Sequence, residues 1–257
     1  GVLGIHLEGP FLNPQRRGVH DAGKFCALEE AGFDVVTAFD EGVTLVTLAP
    51  ELTSTSMIRR LVQQGVIVSC GHSVASYEQT IAAFEAGATG CTHLYNAMTP
   101  LQSREPGMVG ASLVHEHSWF GIIADGFHMH PAAFRIAVSA KKTGGAILVT
   151  DAMPTVGSPH KSFVLDGETI IASEGRVTNA AGTLAGSDLD MWSAVSNAAE
   201  FAGLDWFEAL RMATVYPARA LGLQAELGAI RAGYRASLLA LDSQHQIRAS
   251  WVDGIRA

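Results

Sequence analysis

Five residues of this chain can bind a metal or move a proton, and each stands at or just past the end of a short apolar run: Glu8, His72, His93, Asp125 and Asp151. Two imidazoles and a carboxylate with one position left open suit a catalytic Zn2+ or a similar divalent ion. Such an ion lowers the pKa of bound water to about 7. A nearby carboxylate can then take the water's proton and return it to a leaving amine. Asp151 is the candidate for that task, because a His–His–Glu set does not need it as a ligand. The spacing is not a compact motif of the H-E-x-x-H kind, and the residues alone leave plainer readings open. Glu8 can cap a helix or pair with a surface cation. Cys70 and Cys91, each two residues before a histidine, read as small core residues rather than ligands.

The runs that carry these residues alternate with helical patterns. Val2-Leu3-Gly4-Ile5 leads into His6-Leu7-Glu8, where strand alternation puts His6 and Glu8 on the same side and Gly9-Pro10 stops the run. Residues 43–48, 66–70, 89–92, 119–124 and 146–150 read as further strands, and 54–64, 76–86 and 131–141 as helices. Apolar strands separated by helices predict a parallel sheet covered by helices. A (β/α)8 barrel keeps its active site at the C-terminal ends of its strands, which matches this distribution. A doubly wound sheet gathers its ligands mainly at one switch point.

The expected fold class is therefore α/β, a (β/α)8 TIM-type barrel over residues 1–222. Only six strands are present, so the chain is expected to start at about the third. Gly1 opens inside a strand without an initiator Met, and roughly a hundred upstream residues are expected from the usual size of such barrels with an added domain. Asp166-Gly167 between two β-rich runs predicts a hairpin insertion at about 160–180. A helix over 189–202 is expected with Ser187 or Asp188 as its N-cap, and another from Asp205 through Met212. Residues 223–257 turn strand-like at 237–241 and 247–252 and read as part of a separate β unit.

Composition removes several classes. Of 257 residues, 16% are charged, the net charge is −8 and no basic run occurs, so nucleic acid is not an expected partner. No apolar stretch reaches the ~18 residues that suggest a membrane span. Three widely spaced cysteines (Cys26, Cys70 and Cys91) fit a reducing cytoplasm better than a disulfide framework. His115, His117, His160 and His245 read as solvated, and His130 before Pro131 as a helix start. His6 reads as a partner of the ligand residues or as a packed barrel histidine. Trp192, Trp206 and Trp251 read as core or interface packing.

The motifs His-Leu-Glu-Gly-Pro-Phe (6–11), Gly-His-Ser (71–73), Thr-His-Leu-Tyr-Asn-Ala-Met (92–98), Arg-Glu-Pro-Gly (104–107), Ala-Asp-Gly-Phe-His (124–128) and Val-Thr-Asp-Ala (149–152) occur in this order. Gly-Thr-Leu-Ala-Gly-Ser (182–187) and Ala-Thr-Val-Tyr-Pro-Ala-Arg-Ala-Leu-Gly (213–222) follow. Together they resemble the N-acetylglucosamine-6-phosphate deacetylase family of the amidohydrolase superfamily across essentially the whole chain. The resemblance implies metal ligands Glu8, His72 and His93, with Asp151 as general base and then acid. It implies that His20 polarises the acetyl carbonyl and that Val19, Asn96 and Ala97 line the sugar pocket. Arg104 and His128 fall to the phosphate side, Asp125 is a further substrate-binding residue, and Leu184, Ala185 and Gly186 close the far side.

The resemblance also implies one divalent ion per subunit, Zn2+ first with Fe2+ or another divalent ion as alternatives, and leaves a second metal open. It implies a phosphorylated N-acetylhexosamine as substrate and a homodimer or higher homo-oligomer. On this view residues 223–257 are the C-terminal strands of a small β-sandwich, and Ala236-Ser237-Leu238 departs from the family's usual Ala-Asp-Leu. Kept open are the galactosamine epimer, another amidohydrolase reaction, and a non-catalytic sugar-phosphate-binding protein.

Overall fold

The structure is a computed structural model and describes residues 2–257. Six strands form one parallel sheet in chain order: β1 (Gly4–Glu8), β2 (Val43–Leu48), β3 (Ile67–Cys70), β4 (Gly90–Cys91), β5 (Trp119–Ile123) and β6 (Ala146–Val149). Between them run α1 (Glu30–Val36), α2 (Thr55–Gln63), α3 (Tyr77–Glu85), α4 (Gly107–Val114) and α5 (Pro131–Ala140). This is an arc of the expected (β/α)8 barrel. Strands β2–β6 are apolar because both faces are covered, and in β2 every residue after Val43 is buried; the edge strand β1 has no buried residue, and Ile5 and His6 are exposed. Glycine permits one close approach, since a Cβ on Gly90 would lie 2.4 Å from the Trp119 ring.

Local signals explain the helix starts. The Ser54 hydroxyl accepts from Met57 N–H ahead of α2, and Ser76 with Gln79 forms a full capping box ahead of α3. His130 caps α5 as its place before Pro131 predicts. Helices α1 and α4 carry no such signal. All residues of α4 except Val114 are buried, so it has no polar face to give a helical period.

After β6 the chain builds a second, antiparallel sheet: β7 (Ser162–Leu165), β8 (Glu168–Ser173), β9 (Arg176–Thr178) and β10 (Leu184–Ser187), in the order β10-β9-β8-β7. The hairpin at Asp166-Gly167 is present, and β9 and β10 enlarge it. Helices α6 (Met191–Ala202), α7 (Trp206–Ala213) and α8 (Val215–Ala220) follow. The cap of α6 is Asp190, which accepts from Ser193 N–H, and not Ser187 or Asp188. Ser187 belongs to β10 and gives its hydroxyl to the Thr150 carbonyl, while Asp188 pairs with Lys161.

The chain ends in a three-stranded antiparallel sheet, β11 (Leu238–Leu241), β12 (Ile247–Val252) and β13 (Ile255–Arg256). His245, in the turn before β12, stacks flat on Trp206 at 4.4 Å. His115 stacks on Phe84 at 4.7 Å. Neither ring is simply solvated, because each covers an aromatic face. Among the described residues no helix is long and apolar enough to cross a membrane.

Candidate active site

Strand alternation places Glu8 on the inner side of β1, and the turns after β3 and β4 aim His72 and His93 at it. Glu8 Oε1 lies 2.9 Å from His93 Nε2 and 3.3 Å from His72 Nε2, and the two imidazole nitrogens are 3.1 Å apart. His72 Nδ1 lies 2.7 Å from the Arg16 carbonyl, which can only accept, so Nδ1 carries a proton and Nε2 is the nitrogen free to bind a metal. Glu8 Oε1 is buried with no hydrogen bond of acceptable geometry. A buried carboxylate oxygen crowded by two imidazole nitrogens at this distance is the environment of a cation. The residues thus fit a divalent ion. His20 Nε2 stands 3.8 Å from Glu8 Oε2, and the donors of Glu8, His20 and His72 all lie within 4.8 Å of one another. The Glu8–His72–His93 triangle is the tighter set.

The electrostatics follow from this crowding. Burial alone would push the Glu8 carboxyl up, but the two imidazoles beside it hold it well below the usual carboxylate range. Burial would lower His93, yet Glu8 raises it above its ordinary value. His20 lies below the ordinary histidine value, mainly through burial. Cys70 and Cys91 are buried free thiols; burial pushes Cys91 up to about 12, which suits core residues and not ligands.

Nine non-glycine residues among those described have positive φ, and five cluster here: His72 (47°), His93 (33°), Tyr95 (76°), Ala97 (50°) and Asp151 (52°). The other four, Asp166, Glu174, His245 and Asp253, lie in turns of the antiparallel sheets. Left-handed backbone at non-glycine residues is costly and marks places that the surroundings over-determine. At the ends of β3, β4 and β6 it turns the side chains inward over the sheet edge. One layer down, the Thr47 hydroxyl joins His6 Nε2 and the Thr92 hydroxyl at 2.7 Å each, and Thr92 meets Ser69 at 2.7 Å. His6 is thus a hydrogen-bonded barrel histidine that shares a smaller cavity with Glu8, His93 and Asp151.

The cluster opens into a cavity of about 390 Å3. Glu8, His72, His93 and Asp151 line it, as do Val19 and His20 from the segment after β1. Asn96 and Ala97 line it from the loop after β4, Leu184, Ala185 and Gly186 from β10, and His128 from the loop after β5. Two expected residues do not line it. Asp125 spends its carboxylate on the Phe127 and His128 N–H groups and on His128 Nδ1 at 2.6 Å, so it orients His128 instead of facing the cavity. Arg104 is exposed and makes no ion pair among the described residues; its neighbour Glu105 binds the Tyr77 and Gly107 amides. The sequence reading missed Gly18, Met153, Leu165, Asp166 and Thr183, which also line the cavity. Asp166-Gly167 was legible as a turn, but nothing in its sequence shows that the hairpin folds over the barrel mouth.

Strand β10 also holds Asp151 in place. Ser187 N–H donates to the Asp151 carbonyl at 2.8 Å, and Met153 N–H donates to the Ser187 carbonyl at 2.9 Å. Gly186 has φ of +74°, and a Cβ there would lie 2.8 Å from the Asp151 carbonyl oxygen and 2.6 Å from Met153 Cγ. Gly186→Ala is expected to lower stability by about 1–3 kcal/mol through backbone strain and to reduce activity by disturbing Asp151. Chemical denaturation and steady-state kinetics on the same sample check this.

The Amidohydrolase family profile matches residues 1–256. This chain belongs to the amidohydrolase family. Among curated relatives of this amidohydrolase, N-acetylgalactosamine-6-phosphate deacetylase of Escherichia coli O157:H7 is 44% identical over 98% of the chain and 67% of its own length. N-acetylglucosamine-6-phosphate deacetylase of Vibrio furnissii is 39% identical over 98% of the chain and 64% of its own length. The crystal structure of N-acetylglucosamine-6-phosphate deacetylase from Pasteurella multocida superposes with a TM-score of 0.95 at 35% identity, covering 100% of this chain and 67% of that one. A variant of the Mycobacterium smegmatis enzyme in complex with N-acetyl-D-glucosamine-6-phosphate gives 0.92 at 35% identity, covering 98% and 68%. The chain thus spans about two thirds of the length of these relatives.

Proposed function

We propose that this amidohydrolase removes acetate from N-acetyl-D-glucosamine 6-phosphate, giving D-glucosamine 6-phosphate. The observation that carries this reading is one cavity that joins the Glu8–His72–His93 cluster to Asp151. Glu8, His72 and His93 would hold a divalent ion, with zinc our first choice. The bound ion supplies Lewis acidity and makes water an effective nucleophile near neutral pH. Asp151 takes the proton of the attacking water and delivers it to the amine nitrogen as the C–N bond breaks. His20, at the edge of the cluster, hydrogen-bonds the acetyl oxygen. Asn96, Ala97 and the Leu184–Gly186 wall orient the sugar, and His128, held by Asp125, faces the phosphate. Among the described residues the cavity lining has no lysine or arginine, so the phosphate needs a cation from outside it; we assign Arg104. The same reading takes the enzyme to be a cytoplasmic homo-oligomer.

A second reading, the galactosamine epimer, is favoured by two relatives at 44% and 42% identity that are N-acetylgalactosamine-6-phosphate deacetylases. A purely sugar-phosphate-binding protein would have no need of Asp151 beside a ligand cluster. The test is acetate release from a panel of phosphorylated and unphosphorylated N-acetylhexosamines, with metal content measured on the same sample. No release from any phosphorylated sugar by metal-loaded protein overturns the reading, and the kcat/KM ratio of the two 6-phosphates decides the epimer. In the same panel Arg104→Met is expected to lose about 10-fold or more on the 6-phosphate, as loss of charge-assisted hydrogen bonds implies. Activity on the unphosphorylated sugar should barely change. Equal losses on both would remove Arg104 from phosphate recognition.

A further inference from the structure

The cavity is lined by three carboxylates, and the chemistry above uses only two of them. The third is Asp166, at the tip of the β7–β8 hairpin. Three features place this partly exposed side chain there, and its pair with Lys24 lies at the surface, with 38% and 64% of the two side chains exposed. Its backbone is left-handed, with φ of 48°. Its neighbour Leu165 packs on the small apolar cluster of Ile170, Ala172, Val177 and Ala185, against which Val19 and Met153 also rest. Its Oδ1 accepts from Lys24 Nζ at 2.5 Å, across 142 residues of sequence. Lys24 closes the short turn that follows Val19 and His20, so the ion pair ties the two segments facing each other across the cavity. Only Oδ1 is engaged. Oδ2 has no partner among the described residues, on a side chain that lines a cavity.

A carboxylate at a cavity rim with one oxygen paired to a lysine and the other free is a hydrogen-bond acceptor for a hydroxyl. It is a poor surface for a phosphate, which it would repel, and it lies outside the donor cluster that suits a metal. We propose that Asp166 reads a ring hydroxyl of the sugar: Oδ2 accepts the hydroxyl hydrogen, and Lys24 acts as a positioning residue that holds Oδ1 and compensates its charge. This rests on the sugar-phosphate reading of the same cavity. It assigns substrate selectivity to an element outside the barrel, the hairpin that the antiparallel sheet presses over the barrel edge.

The test measures binding apart from turnover. Calorimetry gives Kd for N-acetylglucosamine 6-phosphate and for its 3-deoxy and 4-deoxy analogues. It uses metal-loaded Asp151→Asn protein to prevent hydrolysis, with Asp166→Ala, Asp166→Asn or Lys24→Met added. Asp166→Ala is expected to weaken the parent sugar about 10-fold or more, as loss of a hydrogen bond to a charged acceptor implies. Asp166→Asn should recover part of that loss, because its amide oxygen still accepts, and Lys24→Met should fall between wild type and Asp166→Ala. One deoxy analogue should bind weakly to the parent protein and lose nothing more on Asp166→Ala. An unchanged Kd in Asp166→Ala, or an equal loss on every analogue, overturns the proposal. Acetate release by wild-type holoenzyme is read separately. If sugar phosphate binds but is not hydrolysed, the deacetylase reading fails and the Kd series still decides Asp166; if none binds, both fail.

Discussion

Asp151→Asn is expected to lower kcat by at least the ~10²–10⁴-fold that general acid–base catalysis contributes, while metal content and sugar-phosphate affinity stay close to wild type. Asn is nearly isosteric with Asp, and it tolerates the left-handed backbone that Asp151 adopts at φ of 52°. The Asp151 carbonyl, which anchors β10 through Ser187 N–H, is untouched by a change at the side chain. The variant therefore removes the proton acceptor and leaves the cavity wall standing. The loss should fall on kcat, because proton transfer is made in the transition state and not in the ground state. Elemental analysis and calorimetry on the variant separate the two possibilities. Turnover within a few-fold of wild type would exclude Asp151 as the proton carrier, and a parallel loss of metal would make it a ligand.

Loss of His93 should be comparably severe, but through the metal. Removing even an outer hydrogen-bond partner of a metal ligand typically costs 10–100-fold in affinity or activity, so losing a ligand is expected to cost more than about 100-fold. His93→Ala should retain little metal after dialysis and show almost no acetate release. Because His93 is buried with φ of 33°, alanine there also strains the backbone. His93→Asn, which suits that conformation, controls for misfolding and should show the same metal loss with native circular dichroism. The matching His20→Ala variant discriminates between the two possible donor sets. His20 sits 3.8 Å from Glu8 at the rim of the cluster, against 2.9 Å for His93. It should keep its metal and lose activity. Full occupancy in His93→Ala with depletion in His20→Ala would reverse the assignment.

The sequence alone determined the six barrel strands, most of the helices and which residue types stand at the strand ends. Strands buried on both faces read as apolar runs, and caps such as Ser54 and Ser76 are local, so the parallel alternation and the polar residues that end it were legible without coordinates. Family motifs added roles that spacing could not give. What only the tertiary structure decided depends on contacts between residues distant in sequence. The Arg16 carbonyl sets the tautomer of His72 from 56 residues away. Asp125 turned out to serve its own loop, since a carboxylate three residues before a histidine can satisfy that loop's amides or face a ligand, and the sequence is the same in both cases. Strand β10 hid inside a glycine-rich stretch because its partners, β9 and the segment around Asp151, give it extended structure that its own propensity does not. Asp166 looked like one half of a turn signal. Its place in the cavity comes from packing the hairpin's apolar face against Val19 and Met153, a long-range burial that no local pattern encodes.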